Sequence, residues 1–220
     1  MQSLNNQKEY WDKVATTKTF THPLDLLLVN DNFKKDFTIL DYGCGYGRLT
    51  NEFNANGFKN ITGVDTSREL IKRGKELYPG LNLLHINAPE ELDHSEASYD
   101  AVVLFAVLTC IPSNAAQKEL LHILAKNLKK GGLVYISDYY LQPNREEVKK
   151  YTFLNNDKNN YGVFTLPEGV VFRHHTKEWI RELLQDFEII SEKVITVKTM
   201  NGHAAEAFQI LAKRSNNLMD

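Results

Sequence analysis

The residues best suited to chemistry form a glycine-rich turn. The segment ILDYGCGYGRL places Gly43, Gly45 and Gly47 directly after an apolar stretch. Glycines at a strand-to-helix turn permit tight backbone geometry and the close approach of a ligand. The N–H groups at the start of the next helix favour an anionic group, either a pyrophosphate or the carboxylate of an amino acid. This segment is therefore predicted to bind a ligand against its backbone.

The spacing of the glycines, together with two acids, distinguishes between these anions. The dinucleotide fingerprint is G-x-G-x-x-G, whereas here the third glycine comes one residue earlier and Arg48 takes the last place. Asp41, before the turn, would repel a pyrophosphate but suits an ammonium group. Asp65 ends the second predicted strand, where an acid can accept hydrogen bonds from both ribose hydroxyls. An amino acid joined to a nucleoside fits all of these features.

These residues must be positioned by strands that alternate with helices. Apolar strands are predicted at residues 39–40, 61–64, 83–86, 101–105 and 133–137, with helices at 48–55, 67–78 and 115–128 between them. Such alternation is typical of a parallel sheet covered on both faces, and right-handed crossovers make it doubly wound. Two later β-rich runs, 188–197 and 205–212, are predicted to pair antiparallel at one edge.

The whole chain, residues 1–220, is predicted to be a single domain. Residues 1–37 would form an N-terminal helix and a lid, and residues 38–138 the cofactor-binding core. Residues 139–175 would form a substrate-side insertion with a β-hairpin, and residues 176–220 a C-terminal helix and strands. A chain of this length can bury one sizeable core.

Charge and composition narrow the possible partners. A net charge of -2 provides no basic field for polyanions, so no nucleic acid is expected as a partner. The longest apolar run, 101–108, is far shorter than the roughly 20 residues of a membrane span, and the polar start is not a secretory signal. Cys44 and Cys110 do not resemble a disulfide framework. We therefore expect a cytoplasmic protein, monomer or homodimer, with no membrane partner.

The sequence resembles the class I S-adenosylmethionine-dependent methyltransferases over roughly residues 38–137. ILDYGCGYGRL is similar to their glycine motif, ITGVDTS to their ribose-binding strand end, and SYDAVVLFAVLTCIP with LKKGGLVYISD to their fourth and fifth strands. The resemblance implies a Rossmann-like α/β fold, with a doubly wound, mostly parallel seven-stranded sheet and an antiparallel C-terminal strand pair. It also implies S-adenosyl-L-methionine as the cofactor and methyltransferase activity.

The resemblance places the cofactor at the carboxyl ends of the first four strands. Many members of the family have Asp-Ala after the third strand, where this chain has Asn87-Ala88. Asn87 can still accept the hydrogen bond of the adenine amino group through its amide oxygen. With Asp41 added, the predicted cofactor-binding residues are Asp41, Gly43, Cys44, Gly45, Asp65, Thr66, Asn87, Ala88 and Phe105.

The methyl acceptor is predicted to lie beyond the same strand ends, where open α/β sheets bind their ligands. The candidate catalytic residues, as a base or an orienting group, are His174, His175 and Tyr140. Adjacent histidines on a strand point to opposite faces and do not easily share a metal, so no metal is predicted. The candidate substrate-binding residues are Trp11, Phe20, His22, Tyr139, Arg173 and His203. The N-terminal aromatics could instead pack the first helix onto the sheet.

The sequence as a whole predicts direct, in-line methyl transfer to a small-molecule acceptor, because the compact chain has no basic groove. Two alternatives remain at this point. A nicotinamide-dependent oxidoreductase shares the alternation of strands and helices but is opposed by the early third glycine. A non-catalytic S-adenosylmethionine-binding protein would bind the cofactor without turnover. The sequence does not reveal whether N, O, S or C is methylated.

Overall fold

A computed structural model describes residues 7–92, 97–157 and 159–215, without the side chains of residues 145–147 and 156. The strands are β1 (Ile39–Tyr42), β2 (Ile61–Asp65), β3 (Asn82–His85), β4 (Tyr99–Phe105), β5 (Leu128–Tyr139), β6 (Thr152–Phe153), β7 (Tyr161–Thr165), β8 (Val171–Arg173), β9 (Phe187–Lys198) and β10 (Ala204–Arg214). The helices are α1 (Gln7–Val14), α2 (Leu26–Asn32), α3 (Arg48–Ala55), α4 (Arg68–Leu77), α5 (Asn114–Asn127), α6 (Arg145–Lys150) and α7 (Lys177–Leu183).

The main sheet has seven strands in the order β3-β2-β1-β4-β5-β10-β9. The first five of these pair in parallel, whereas β10 pairs antiparallel with both β5 and β9. This is the predicted mostly parallel, doubly wound sheet with an antiparallel C-terminal pair. The strand order reverses between β1 and β4, and such a reversal opens a crevice at the carboxyl ends of the strands.

The sheet is buried on both faces, which explains its continuous apolar strands. Leu40 and Val102 belong to a hydrophobic cluster that includes residues of α5 and α7. Their neighbours Ile39 and Val103 belong to a second cluster that includes Phe53 of α3. Successive side chains of a strand point to opposite faces, so a strand covered on both sides is apolar at every position.

Two local features differ from the sequence-based expectations. Helix α2 was not predicted: it begins after Asp25, whose carboxylate accepts hydrogen bonds from the backbone N–H groups of Leu27 and Leu28, both at 3.1 Å. Strand β5 begins at Leu128, so residues 129–132, which the pattern left between a predicted helix and a predicted strand, are the irregular first part of the strand. Leu128 pairs with Tyr99 and Leu133 with Ala101 of β4, so the two glycines lie in an irregularity between these pairs rather than in a turn that ends the helix.

The predicted β-hairpin forms outside the main sheet. Strands β7 and β8 pair antiparallel and, together with β6, make a separate three-stranded sheet. The hairpin turn closes through the N–H of Leu166 and the carbonyl of Val170, at 2.9 Å. Within the described residues, no helix has the length and apolar character needed to cross a bilayer.

Candidate cofactor and acceptor site

A cavity of about 950 Å³ opens at the carboxyl ends of the parallel strands. Its wall includes Asp41 at the end of β1, Asp65 at the end of β2, Phe105 at the end of β4 and Tyr139 at the end of β5. Ligand pockets commonly measure about 300–1,000 Å³, so this volume has room for a cofactor and a second small molecule.

The glycine turn is tied to the end of β2 by backbone hydrogen bonds. The N–H groups of Gly43 and Cys44 donate to the carbonyl of Val64 at 2.8 and 3.0 Å. Gly43 has a φ of +73°, and a Cβ there would lie 2.6 Å from a methyl carbon of Val107. A side chain at Gly43 would therefore be strained by the backbone and crowded by its neighbour.

Asp65 joins the two strand ends that border the glycine turn. One carboxylate oxygen accepts the N–H of Gly45 at 2.8 Å, and the other accepts the N–H of Ser67 at 2.7 Å. Each oxygen has a further lone pair, and Asp65 lines the cavity. The carboxylate is therefore held in position and retains capacity to accept two ribose hydroxyls.

Asp41 is a second acid in the same wall and, unlike the partly buried Asp65, it is almost fully buried. It is 2% exposed and accepts a hydrogen bond from the hydroxyl of Thr50 at 2.6 Å. Burial raises the pKa of Asp41 to about 6, although the hydrogen bond from Thr50 opposes the shift. Burial likewise raises the pKa of Asp65 to about 6, against its backbone hydrogen bonds. Both acids are ionised at neutral pH and become protonated in mild acid.

These raised pKa values make cofactor affinity dependent on pH. An ammonium group and the ribose hydroxyls bind an ionised carboxylate more strongly than a protonated carboxyl, so ligand binding favours release of any proton held by Asp41 or Asp65. Between pH 7.5 and pH 5, we expect the Kd for S-adenosylmethionine to rise about 10-fold for one such carboxyl and about 100-fold for both. Calorimetric titration across this range measures the effect, and Asp41→Asn should reduce it to that of one group. A Kd that stays constant down to pH 5 would contradict the proposed contacts.

Thr66, Asn87 and Ala88, which are predicted to border the adenine, all line the cavity. The side-chain amide nitrogen of Asn87 donates to Glu91 at 2.7 Å, and the backbone N–H of Asn87 donates to the same carboxylate at 2.9 Å. This arrangement leaves the amide oxygen of Asn87 as an acceptor, as its predicted contact with an adenine amino group requires.

Gly45 differs from its predicted placement. It does not line the cavity, because the ring of Phe20 lies against its backbone: a Cβ at Gly45 would be 2.0 Å from a ring carbon of Phe20. Phe20 also stacks on Tyr46, with ring centroids 5.0 Å apart. Gly45 thus makes room for an aromatic ring of the N-terminal segment, while its N–H holds Asp65.

The N-terminal segment covers part of the cavity and also packs on the core. Trp11, Phe20 and His22 all line the cavity. The carboxylate of Asp12 accepts hydrogen bonds from Ser67 and Glu69 at the start of α4, so α1 is anchored beside Asp65. The two functions considered for this segment, a lid and a packing element, are therefore compatible.

The part of the cavity wall predicted to contact the acceptor is formed by aromatic rings. Tyr139 stacks on His174, with centroids 5.1 Å apart, and meets the edge of His22 at 4.6 Å. Nδ1 of His174 is hydrogen-bonded to the hydroxyl of Tyr151 at 2.6 Å. Burial lowers the pKa of His174 well below its usual value, so the ring is neutral at neutral pH. His203 is exposed and also lines the cavity.

Three predicted acceptor-side residues lie elsewhere. The hydroxyl of Tyr140 donates a hydrogen bond to Glu192 at 3.1 Å, and Tyr140 does not line the cavity. His175 is fully buried between Gln117 and the carbonyl of Tyr139, at 3.0 and 3.1 Å. The reason is strand alternation: Tyr139 and His174 face the cavity, so the residues that follow them point away. The structure therefore does not support catalytic contacts for Tyr140 or His175.

Arg173 is the third of these residues. Its guanidinium is 2% exposed, donates to the carbonyls of Tyr161 and Pro112 at 3.0 and 3.3 Å, and also bonds to Asn114. It does not line the cavity, so its predicted contact with substrate is not made in this structure. Arg173 instead joins the small sheet to the start of α5.

Sequence reasoning missed several cavity residues on the insertion. They share positions on or beside the three-stranded sheet: Gln142, Lys150, Phe164, Leu166 and Phe172. The apolar residues Phe164 and Leu166, two positions apart at the end of β7, were a signal that one face is buried there. The position of that face relative to the main sheet could not be read from local pattern.

The two cysteines are wall residues. Cys44 and Cys110 both line the cavity. Burial raises the pKa of both thiols, that of Cys44 with a further contribution from the charge of Asp41. Because the thiolate is the nucleophilic form, neither sulfur is activated at neutral pH. Among the residues that the structure describes, no cluster of three or more His, Cys, Asp or Glu side chains could hold a metal ion.

A doubly wound sheet with a glycine turn after β1 and an acid at the end of β2 defines the class I S-adenosylmethionine-dependent methyltransferase fold. The chain belongs to the methyltransferase-domain family, whose model matches residues 14–188. The S-adenosylmethionine-dependent methyltransferase from Methanosarcina mazei is 25% identical, with a TM-score of 0.77, and the match covers 87% of this chain and 99% of that one.

Two other proteins show different degrees of similarity. Human methyltransferase-like protein 27 is 34% identical over 103 residues, which is 45% of this chain and 39% of that protein. The chain spans less than half the length of the curated relatives that it matches. The 1,6-didemethyltoxoflavin-N1-methyltransferase of Burkholderia thailandensis shares the fold, with a TM-score of 0.63 at 16% identity over 86% of this chain and 76% of that one. Its solved structure contains 1,6-didemethyltoxoflavin and S-adenosylhomocysteine.

S-adenosylmethionine is the cofactor of this class, and the cavity fits it. The buried carboxylate of Asp41, the partly buried carboxylate of Asp65 and a glycine at positive φ stand in one wall, which suits an amino acid joined to a nucleoside. Asp41 would repel the pyrophosphate of a nicotinamide cofactor. Because the chain belongs to the methyltransferase-domain family, the nicotinamide-dependent oxidoreductase is excluded as an alternative.

Proposed function

We propose that the protein transfers a methyl group from S-adenosylmethionine to a small-molecule acceptor by direct in-line transfer. The observation that carries this proposal is the arrangement of the cavity: the wall with Asp41 and Asp65 and the wall with Tyr139 and His174 belong to one space. A cofactor on the first wall and an acceptor on the second would share that space, as the reaction requires.

A small acceptor is favoured by the charge and by the covering of the cavity. The net charge of -2 offers no attraction for nucleic acid, and the N-terminal segment and the small sheet both contribute to the cavity wall. The Burkholderia protein holds a small molecule together with S-adenosylhomocysteine in a related fold. A compact organic molecule with an aromatic or other flat surface fits the ring-lined wall better than a folded macromolecule does.

Each wall has a distinct task in the proposed mechanism. When bound, the cofactor supplies an electrophilic methyl group on a positively charged sulfur. Asp41 and Asp65 hold the cofactor by its ammonium and ribose groups, while Trp11 and Phe20 exclude water from above the glycine turn. Tyr139 and His174 orient the acceptor. No covalent bond to the protein is needed.

The proposed organisation is a single domain in which each part contributes to this cavity. Residues 1–37 act as the lid, residues 38–138 hold the cofactor, and residues 139–175 supply the acceptor wall. The C-terminal strands complete the sheet and bring His203 and its turn to the cavity.

The proposal is tested by measuring S-adenosylhomocysteine formation by purified protein with a panel of acceptors. The panel contains 4-substituted phenols, aromatic amines, thiols and carboxylic acids, with a peptide mixture and single-stranded RNA as macromolecular alternatives. We expect turnover with at least one small molecule and with neither macromolecule. Tyr139→Ala should raise the KM for that acceptor while leaving the Kd for S-adenosylmethionine unchanged. Tight cofactor binding with no turnover on any compound would instead favour the non-catalytic binding protein.

A further inference from the structure

His22 combines deep burial with one unpaired ring nitrogen. It is 3% exposed and lines the cavity. Nδ1 is hydrogen-bonded to the hydroxyl of Ser137 at 2.8 Å, whereas Nε2 is buried and has no hydrogen-bond partner among the described residues. A buried polar atom without a partner is costly to the fold, and a ligand group that donates a hydrogen bond to it would remove that cost.

The ring is held in position from several sides. Arg48 donates a hydrogen bond to the backbone carbonyl of His22 at 2.5 Å, and the His22 ring lies perpendicular to the ring of Tyr139 with centroids 4.6 Å apart. Ser137 is itself fully buried in β5, where it pairs with Phe105 of β4. The imidazole is therefore positioned by the rigid sheet and not by a loop alone.

His22 also stands between the two walls of the cavity. Its partner Ser137 accepts the N–H of Ala106 through its carbonyl at 2.7 Å, and Phe105 and Ala106 line the cavity after β4. On the other side, His22 contacts Tyr139 of the acceptor wall. A group that handles a proton during methyl transfer must reach the acceptor close to the cofactor, and His22 occupies such a place.

The serine hydroxyl allows the ring to act as a base. A hydroxyl rotates and can accept as well as donate, so Nδ1–H can donate to Ser137 and leave a lone pair on Nε2. Burial lowers the pKa of His22 to about 4, with a smaller contribution from the positive charge of Arg48, so the ring is neutral at neutral pH. Among the described residues, Arg48 and Tyr139 are ionisable groups that contact His22 directly.

We propose that Nε2 of His22 accepts the proton of the acceptor's reacting O–H or N–H group, with Ser137 as the positioning residue. The lone pair of the acceptor atom forms the new bond to the methyl carbon, and the electron pair of the methyl–sulfur bond stays on sulfur. The acceptor's proton forms a new N–H bond on Nε2, and the imidazolium then releases it to water. This inference rests on the proposed function and narrows it to acceptors that carry a proton on the reacting atom.

His174 differs from His22 in a way that separates their roles. Nδ1 of His174 is bonded to the phenol hydroxyl of Tyr151, and its ring is stacked face to face on Tyr139. Stacking on the acceptor wall suits orientation of a flat molecule. His174→Gln therefore serves as the comparison for His22→Gln, because both replace a buried cavity histidine by a polar side chain.

The kinetic test uses a series of 4-substituted phenols that differ in acidity, from 4-methoxyphenol to 4-nitrophenol. His22→Gln is expected to lower kcat about 10²–10⁴-fold for the least acidic phenol and much less for 4-nitrophenol, which loses its proton without help. The Kd for S-adenosylmethionine should change less than about twofold. His174→Gln should raise KM for the whole series without this dependence on acidity. An equal loss across the series for His22→Gln would overturn the inference.

A second measurement does not depend on turnover. Ring ¹⁵N NMR of the cofactor-free protein should show His22 with a proton on Nδ1, a bare Nε2 and a titration well below pH 6.5, and Ser137→Ala should alter the tautomer balance. A proton on Nε2 at neutral pH would overturn the inference even if the enzyme is active. Absence of turnover by the wild-type protein on every acceptor would overturn the proposed function, and this inference with it.

Discussion

Replacing Asp65 by asparagine is expected to weaken the binding of S-adenosylmethionine by at least about 100-fold. Asp65 is the proposed partner of both ribose hydroxyls, and hydrogen bonds to a charged group contribute about 1.5–3 kcal/mol each. The loss of two such bonds corresponds to a factor of about 100 or more in Kd. In addition, the amide of asparagine would place a donor against the N–H of either Gly45 or Ser67, which the carboxylate accepts at 2.8 and 2.7 Å. Titration calorimetry of both proteins measures the change.

Asp100→Asn is the matched control for this variant. Asp100 also accepts a backbone N–H, that of Thr38 at 2.8 Å, but it lies at the amino end of β4 and does not line the cavity. We expect this change to leave cofactor affinity intact. If the two variants bind S-adenosylmethionine equally well, Asp65 is not the ribose partner and the orientation of the cofactor must be reversed or shifted. Circular dichroism confirms that both variants are folded.

Replacing Gly45 by alanine is expected to lower the free energy of unfolding by about 2–5 kcal/mol and to weaken cofactor binding more than about 10-fold. Gly45 has a φ of +57°, and left-handed backbone costs a residue with a Cβ about 1–2 kcal/mol. The new methyl group would meet the ring of Phe20 at 2.0 Å, and such overpacking costs a further 1–3 kcal/mol or so. Displacement of the turn would also move the N–H that holds Asp65. Urea unfolding and calorimetry measure the two effects.

Two further variants separate strain from crowding. Gly57 has a φ of +91°, but a Cβ there would come no closer than 3.7 Å to any atom and would lie outside the cavity wall. Gly57→Ala should therefore cost only the backbone part, about 1–2 kcal/mol. In a Phe20→Ala background, Gly45→Ala should destabilise the protein less, because the new methyl group no longer meets the ring. A double-mutant cycle should report this difference as a coupling energy of about 1–3 kcal/mol. Additive effects would show that Phe20 does not pack on this turn.

The cofactor half of the cavity could be predicted from sequence because its residues are close along the chain. Asp41 and Gly43 belong to one strand and turn, and Asp65 ends the next strand. Parallel neighbouring strands bring their carboxyl ends together, so local pattern and strand order are sufficient to place the acids beside the turn. Gly45 was predicted to line the cavity and does not, because the ring of Phe20 covers it. Phe20 belongs to the N-terminal segment, whose position could not be predicted from the alternation of strands and helices.

The acceptor half could be predicted only in outline. Tyr139 and His174 face each other across 35 positions of sequence, and their neighbours Tyr140 and His175 have the same residue types but point away. Residue type therefore does not distinguish them. The choice depends on which face of β5 and of the small sheet turns toward the cavity, and pairing between distant segments decides this.

What the sequence determined by itself was the alternation of apolar strands with amphipathic helices, the glycine turn and the acids at two strand ends, because each depends on the periodicity of one element or on a short turn. Three features were decided by the tertiary structure alone. His22 is buried, with Nδ1 hydrogen-bonded to Ser137 and Nε2 unpaired among the described residues. Phe20 covers Gly45, and Arg173 binds backbone carbonyls instead of lining the cavity. These features depend on contacts across 115, 25 and 61 positions of the chain respectively. Burial and hydrogen bonding between such distant residues have no local signature in the sequence.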